Sequence, residues 1–334
     1  MNDACPMFQD GDVVAMIGDS ITCDGRWWVE LREQWLARHP AQFCDFRNCG
    51  IPGAGAGGAL PRYDWDIAPL RPTVALVMFG MNDVWREGYK PPVTVEMLAG
   101  RDECLERYLL NMNELVERLI GQGIKVCLLT PTPFDQYASD RPAPNMPGVD
   151  DALAICAGMV KGIAVTRRLP VVDLHTPLRH RCAAGDMLIS QDRVHPGEHG
   201  HMAMAELVCG ALLPGAMVDV PPALREASRA LHQAEAPLRI LAMFRARAQS
   251  SLGAHDDDSL RSFLELNREK EPNPWVREQM IECRNLVARQ VELEARVTSL
   301  REQLASAAGR SLSTKTTRTT RTTTTDTAGF TFLT

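Results

Sequence analysis

Five short runs that read as strands, the first and third of them apolar throughout, each bounded by glycine, proline or polar residues, alternate with stretches of helical periodicity through the N-terminal part of this chain. The runs are Val13 to Ile17, Phe43 to Asn48, Val74 to Phe79, Ile124 to Leu129 and Leu169 to Val172. Between and after them, apolar residues recur at three- and four-residue spacing from about Trp27 to Arg38, Asp102 to Ile120, Asp150 to Arg168 and Gly197 to Leu212. Runs this apolar suit strands buried on both faces, and a right-handed crossover between parallel neighbours places a helix between them. The alternation therefore predicts an α/β fold: a five-stranded parallel sheet covered on both sides, with functional groups at the carboxyl ends of its strands.

Composition narrows the class of chain. At 334 residues, with 45% hydrophobic and 23% charged residues, the sequence can bury one large core and carry an appendage. A formal net charge of -6 gives no general attraction for nucleic acid or anionic lipid. Met1 to Asp10 lacks the basic start and apolar run of a signal peptide, and charged residues or proline interrupt every hydrophobic stretch before it reaches membrane-spanning length. A soluble, cytoplasmic protein is expected. The ten cysteines contain no CxxC pair, so they read as reduced and mostly buried side chains rather than a zinc cluster or a disulfide framework.

The pattern changes after Pro214, giving expected units of 1–214, 215–309 and 310–334. Pro221 and Pro222 precede a helical stretch from Ala223 to Gln249, and a second helix, capped by Asn273, is expected from Pro274 or Trp275 to about Ala308. In it Leu286, Leu293 and Leu300 repeat every seven residues, with Val297 and Leu304 as a second seam. That heptad suits either a short coiled coil joining copies through residues 275–308 or packing on the chain's own body. Residues 314–327 contain ten threonines, a composition that builds no packed core, and are expected to be a disordered tail.

Four blocks carry candidate chemistry. Gly18-Asp19-Ser20 follows the first strand, where a glycine permits a tight turn that exposes a hydroxyl, although a serine there is more often a helix cap. Asn48-Cys49-Gly50-Ile51-Pro52-Gly53 follows the second strand; its glycines let backbone amides approach a ligand, but they do not form the clean GxGxxG of a dinucleotide site. Gly80-Met81-Asn82-Asp83 follows the third strand and offers a neutral amide donor. Asp192 and His195, three residues apart at a helix entrance, let a carboxylate bind one imidazole nitrogen while the other faces Ser20.

Together the blocks resemble the SGNH (GDSL-like) hydrolase family, whose named Ser, Gly, Asn and His occur in this order over roughly residues 11 to 212. The resemblance implies a flavodoxin-like three-layer α/β/α fold and a serine esterase: Ser20 as nucleophile, Asp192 and His195 completing its proton relay, and an oxyanion hole of the Ser20 and Gly53 amides with the Asn82 side chain. Gly50 is the alternative to Gly53. No cofactor or metal is implied; His199 and His201 near the relay raise a metal site that such chemistry does not use. The GMND block with a helical C-terminal extension resembles bacterial esterases acting on acetylated carbohydrate. Lysophospholipase, acyl-thioesterase and a non-catalytic interaction module are the alternatives. Trp27, Trp28, Trp65 and Trp85 fall near the blocks, either as core or as a wall contacting sugar or acyl groups.

Overall fold

A computed structural model describes residues 7–213 and 215–309; the expected threonine-rich tail lies outside them. Five parallel strands, β1 (Val13–Gly18), β2 (Asp45–Gly50), β3 (Val74–Met78), β4 (Lys125–Leu129) and β5 (Val171–Val172), form one sheet in the order β2-β1-β3-β4-β5. Ten helices accompany them: α1 (Ser20–Asp24), α2 (Arg26–Arg38), α3 (Ala59–Arg62), α4 (Val95–Gly121), α5 (Val149–Arg167), α6 (His175–Ala183), α7 (Glu198–Leu212), α8 (Pro222–Leu252), α9 (Asp257–Asn267) and α10 (Pro274–Ala307). This is the flavodoxin-like α/β architecture with a helical C-terminal region that the alternation and the resemblance implied.

Successive strand residues point to opposite faces, and each face has its own core. Val14, Met16, Val74, Leu76 and Met78 pack with Trp27, Trp28 and Leu31 of α2 and with Met204 and Val208 of α7. Ala15, Ile17, Ala75, Val77 and Phe79 pack with Tyr108, Met112 and Leu115 of α4 and with Leu153 and Val160 of α5. Burial on both faces is why β1 and β3 read as unbroken apolar runs, whereas the edge strand β2, with Asp45 and Arg47 half-buried, alternates in its first residues. Trp27 and Trp28 thus belong to the core.

Boundaries differ from the sequence reading where periodicity was weak. The α4 helix begins at Val95, capped by Thr94; Val95 and Leu98 in its first turns are exposed and supply no buried stripe. The α9 helix was missed, although Asp256 caps it through the Ser259 amide at 2.9 Å.

The helices after residue 215 join both the sheet and each other. Leu224, Leu231 and Ala234 of α8 share the core with Trp28, while Phe244 packs with Leu260 of α9 and with Met280 and Cys283 of α10. The heptad positions Leu286, Leu293, Val297 and Leu304 are buried within a single chain. A buried ionic cluster fastens α8 to the edge of the sheet. Arg239 donates to both oxygens of Asp66, at 2.8 and 2.9 Å, and to the Gly50 carbonyl at 3.2 Å. Arg62 binds the same carboxylate and the Cys49 carbonyl. The two guanidiniums hold the Asp66 carboxyl down at about 2, against burial, which alone would raise it.

Removing one member of such a cluster strands the others in a low-dielectric site. Asp66→Ala is expected to cost about 3–5 kcal/mol of stability, read as a lower urea midpoint; a midpoint equal to wild type would refute this role.

Candidate active site

The strand order reverses between β1 and β3: the chain leaves β1 for β2 on one side, then returns to β3 on the other. A crevice opens at the carboxyl ends of the strands at such a switch point. The loops that follow β1, β2 and β3 all leave from one row, because Gly18 pairs in register with Gly50 and with Met78.

Ser20 opens α1 directly after β1. The Asp19 carboxylate caps this helix by accepting from the Ile21 amide at 2.9 Å. Gly18 allows the abrupt start, since a Cβ there would lie 2.2 Å from Thr22 Oγ1 and 2.7 Å from the Met78 carbonyl.

The imidazole arrives from a loop before α7. Ile189 and Pro196 form an antiparallel bridge, and the Ser190 amide donates to the His195 carbonyl at 2.7 Å, closing the intervening residues into a tight turn. Within it Arg193 takes a positive φ of 68°. Its buried guanidinium donates to the carbonyls of Asp135, Ala138 and Ala143, each at 2.8 Å.

Ser20 Oγ lies 2.8 Å from His195 Nε2, and His195 Nδ1 lies 2.5 Å from Asp192 Oδ2. The other Asp192 oxygen accepts from Ser190 Oγ at 2.7 Å and from the Val194 and His195 amides at 2.9 Å. These bonds hold the Asp192 carboxyl well below the usual carboxylate range, against burial, and the hydrogen bond that His195 donates to Asp192 raises the pKa of His195. A nitrogen that donates to a carboxylate leaves the opposite ring nitrogen as the acceptor, so the geometry fits Nδ1–H toward Asp192 and an Nε2 lone pair toward Ser20.

Asn82 approaches from the loop after β3. Its Nδ2 donates to the Ala54 carbonyl at 3.2 Å, and its Oδ1 accepts from Arg86 at 3.4 Å. Asp83 accepts from the Ala56 amide at 2.8 Å, and Gly55 packs so closely on that carboxyl that a Cβ would fall 2.7 Å from Oδ1. Adjacent side chains thus clamp the loop that carries Gly53. Burial pushes the Asp83 carboxyl up to about 7 and that of Asp19 up to about 6.

The two candidate glycines differ. The Gly50 amide is spent on Asn48 Oδ1 at 3.0 Å, and a Cβ at this position would meet the Cys23 backbone nitrogen at 2.3 Å. Gly53 is exposed, has φ of 78° and would meet nothing within 4 Å; among the described residues no hydrogen bond uses its amide.

Ser190, Arg193, Asp83 and Arg86 were not assigned roles from sequence. Ser190, two residues before Asp192, and Arg86, four after Asn82, sit at spacings typical of local side-chain contacts, a signal visible only once the neighbouring residue is singled out. His201, in contrast, is buried and pairs with Asp24 at 3.2 Å.

Residues 16–203 match the model of the GDSL-like lipase/acylhydrolase family. No curated protein sequence matches significantly. Among solved structures, a gut microbial diltiazem-metabolizing enzyme superposes with a TM-score of 0.72 at 16% identity, over 90% of this chain and 96% of that one. An acetylxylan esterase from Geobacillus stearothermophilus, as a catalytic mutant, superposes at 0.52 with 21% identity, over 64% of this chain and 99% of its own. An alpha/beta hydrolase enzyme from the metagenome of Lake Arreo, Spain, does so at 0.50 with 24% identity, over 62% and 97%. At these identities the structures attest the fold, whereas the family match spans more than half of the chain, which is therefore a carboxylic-ester hydrolase belonging to the GDSL-like lipase/acylhydrolase family.

Proposed function

We propose that the protein is a serine esterase acting through an acyl-enzyme, with Ser20 as nucleophile, His195 as general base and acid, and Asp192 holding the imidazole. The observation that carries this reading is the unbroken chain from Ser20 Oγ to His195 to Asp192, at 2.8 and 2.5 Å.

A serine hydroxyl is a weak nucleophile until a base takes its proton during attack. His195 Nε2 removes that proton as Oγ bonds to the ester carbonyl carbon, and the carbonyl π electrons move onto oxygen. The Ser20 amide, the Gly53 amide and the second Nδ2 hydrogen of Asn82 are assigned to that oxyanion; the uncommitted amide of Gly53, against the engaged amide of Gly50, supports the choice. Collapse breaks the bond to the alcohol oxygen, which takes the proton from His195. Water then repeats the sequence on the acyl-enzyme, with the same base. Asp192 fixes the tautomer and stabilises the imidazolium without being protonated itself.

The substrate class proposed is a small acyl group, acetyl, on carbohydrate. The triad lies near the surface, with the His195 and Asp192 side chains about half exposed, which suits an acyl group too short to need a deep apolar channel. The likeness in fold to an acetylxylan esterase is in keeping with this.

Three outcomes test the mechanism. Ser20→Ala should lower hydrolysis of 4-nitrophenyl acetate by at least about 10⁴-fold, and Asn82→Ala by about a hundred- to a thousandfold, both with native circular dichroism; full activity in Ser20→Ala refutes the assignment.

Gly53→Ala should fold and lose turnover, whereas Gly50→Ala should lose soluble protein, because its methyl group meets backbone; the opposite pattern would transfer the oxyanion role to Gly50.

His195 works as a base only when unprotonated. Its raised pKa places the acid limb of kcat/KM above the ordinary histidine value of about 6.5. Asp192→Asn should move that limb to lower pH and reduce the plateau by about 10⁴-fold; an unmoved limb would show that another group titrates.

A further inference from the structure

A cavity of about 580 Å³ opens beside Asn82, lined among others by Gly57, Trp85, Glu103, Arg107 and Asn111. We infer that this cavity is a saccharide-binding subsite, in which Trp85 offers its indole to a pyranose ring and Asn111 bonds its hydroxyls. The inference rests on the esterase reading above, because it places the alcohol half of a sugar ester.

Trp85 differs from the tryptophans of the core. Trp27, Trp28 and Trp35 are buried, whereas Trp85 is 41% exposed and no hydrogen bond among the described residues engages its indole; its carbonyl accepts from the Gly88 amide at 2.9 Å. It is nonetheless held. A Cβ on Gly88 would lie 2.6 Å from its Cε3, and one on Gly100 would lie 2.8 Å from its Cζ3. Gly100 sits inside α4, where glycine is a poorer helix former than alanine. The helix forgoes that propensity at the one place where a side chain would displace the indole. An exposed aromatic ring fixed in advance loses little freedom when a ligand stacks on it.

The polar lining suits a sugar rather than an acyl chain. No hydrogen bond among the described residues uses the Asn111 side chain, which leaves two donors and an acceptor; Gly57 packs against it, with a Cβ position 2.6 Å from Nδ2. Glu103 and Arg107 stand at the rim, 3.8 Å apart, and Arg107 also donates to Cys104 Sγ at 3.1 Å. A pyranose presents an apolar face edged by hydroxyls, which matches an indole flanked by a carboxamide, a carboxylate and a guanidinium. A hydrocarbon chain in the same space would strip water from those groups without replacing it. Asn82 belongs both to this wall and to the proposed oxyanion hole, so a ring bound here adjoins the reacting carbonyl.

The test measures kcat/KM of the full chain on 4-nitrophenyl acetate and on acetylated xylo-oligosaccharides. Trp85→Ala and Asn111→Ala should each lower the ratio of the second to the first by about tenfold or more, chiefly through KM, with Trp85→Phe losing less. Saturation-transfer NMR of unacetylated xylotetraose with Ser20→Ala protein should show ring-proton contacts that vanish when Trp85→Ala is added. Ratios within about twofold of wild type in both alanine variants overturn the subsite. Ser20-dependent hydrolysis of 4-nitrophenyl acetate with no turnover of any acetylated saccharide also overturns it, while leaving the serine-esterase reading intact. Ester hydrolysis that survives Ser20→Ala overturns the catalytic assignment, and the alcohol-side placement with it.

Discussion

The alignment of three strand ends brings the loops of the candidate site together. Gly18, Gly50 and Met78 lie side by side in the sheet, so the loops after β1, β2 and β3 start level and converge on one crevice. The alignment depends on β1 being the central strand of the reversal, and on Gly18 having no side chain. Any Cβ there would collide with Thr22 and with the end of β3, pushing apart the two elements that present Ser20 and Asn82. The histidine loop comes from the far end of the sheet sequence, but it is drawn in by Arg193, whose three carbonyl contacts tie it to the segment after β4. Convergence is thus a consequence of topology, refined by one buried cation.

Charge around the imidazole is divided among three groups. Asp192 dominates because it touches Nδ1 directly, and a hydrogen-bonded charge outweighs a screened one at longer range. Asp19 also favours the imidazolium, and burial pushes its own carboxyl up to about 6. Arg86 opposes this, since its field disfavours the imidazolium, while its guanidinium holds Asn82 Oδ1. One side chain therefore holds the proposed oxyanion donor and also limits how basic His195 becomes. Such a balance suits the role proposed for His195, that of a base which accepts a proton and then returns it within one turnover.

The inner strands β1 and β3 were legible in the sequence because burial on both faces leaves no alternation to misread: Val13 to Ile17 and Val74 to Phe79 are apolar throughout. The meeting of Ser20 with His195 was legible because each block lies next to a strand end or a helix entrance, where topology rather than local sequence brings distant residues together. Elements whose stability comes from caps or from sparse contacts were less visible. The first turns of α4 expose Val95 and Leu98, and α9 buries only Leu260, Phe263 and Leu264, so neither gives a long periodic stripe. Arg193 was unreadable for a different reason: its role depends on three carbonyls more than fifty positions away or nearly so in the chain, and a single arginine in a loop carries no sign of them.

Besides packing on the core of the sheet, the C-terminal helices are joined to the root of the glycine-rich loop after β2. Arg239 of α8 grips the carbonyl of Gly50, the last residue of β2, together with Asp66. The chain that leaves Gly50 becomes the loop bearing Gly53. Met243 and Ala246 of α8 and Phe263 of α9 face that loop across a cavity of about 470 Å³. On the other side of the same loop, Asn82 and Asp83 bind Ala54 and Ala56. A glycine-rich segment that would otherwise sample many conformations is therefore restrained at its root by α8 and at its far end by the loop after β3. An amide donor for a developing oxyanion needs that restraint, because a donor positioned beforehand costs no reorganisation as charge appears.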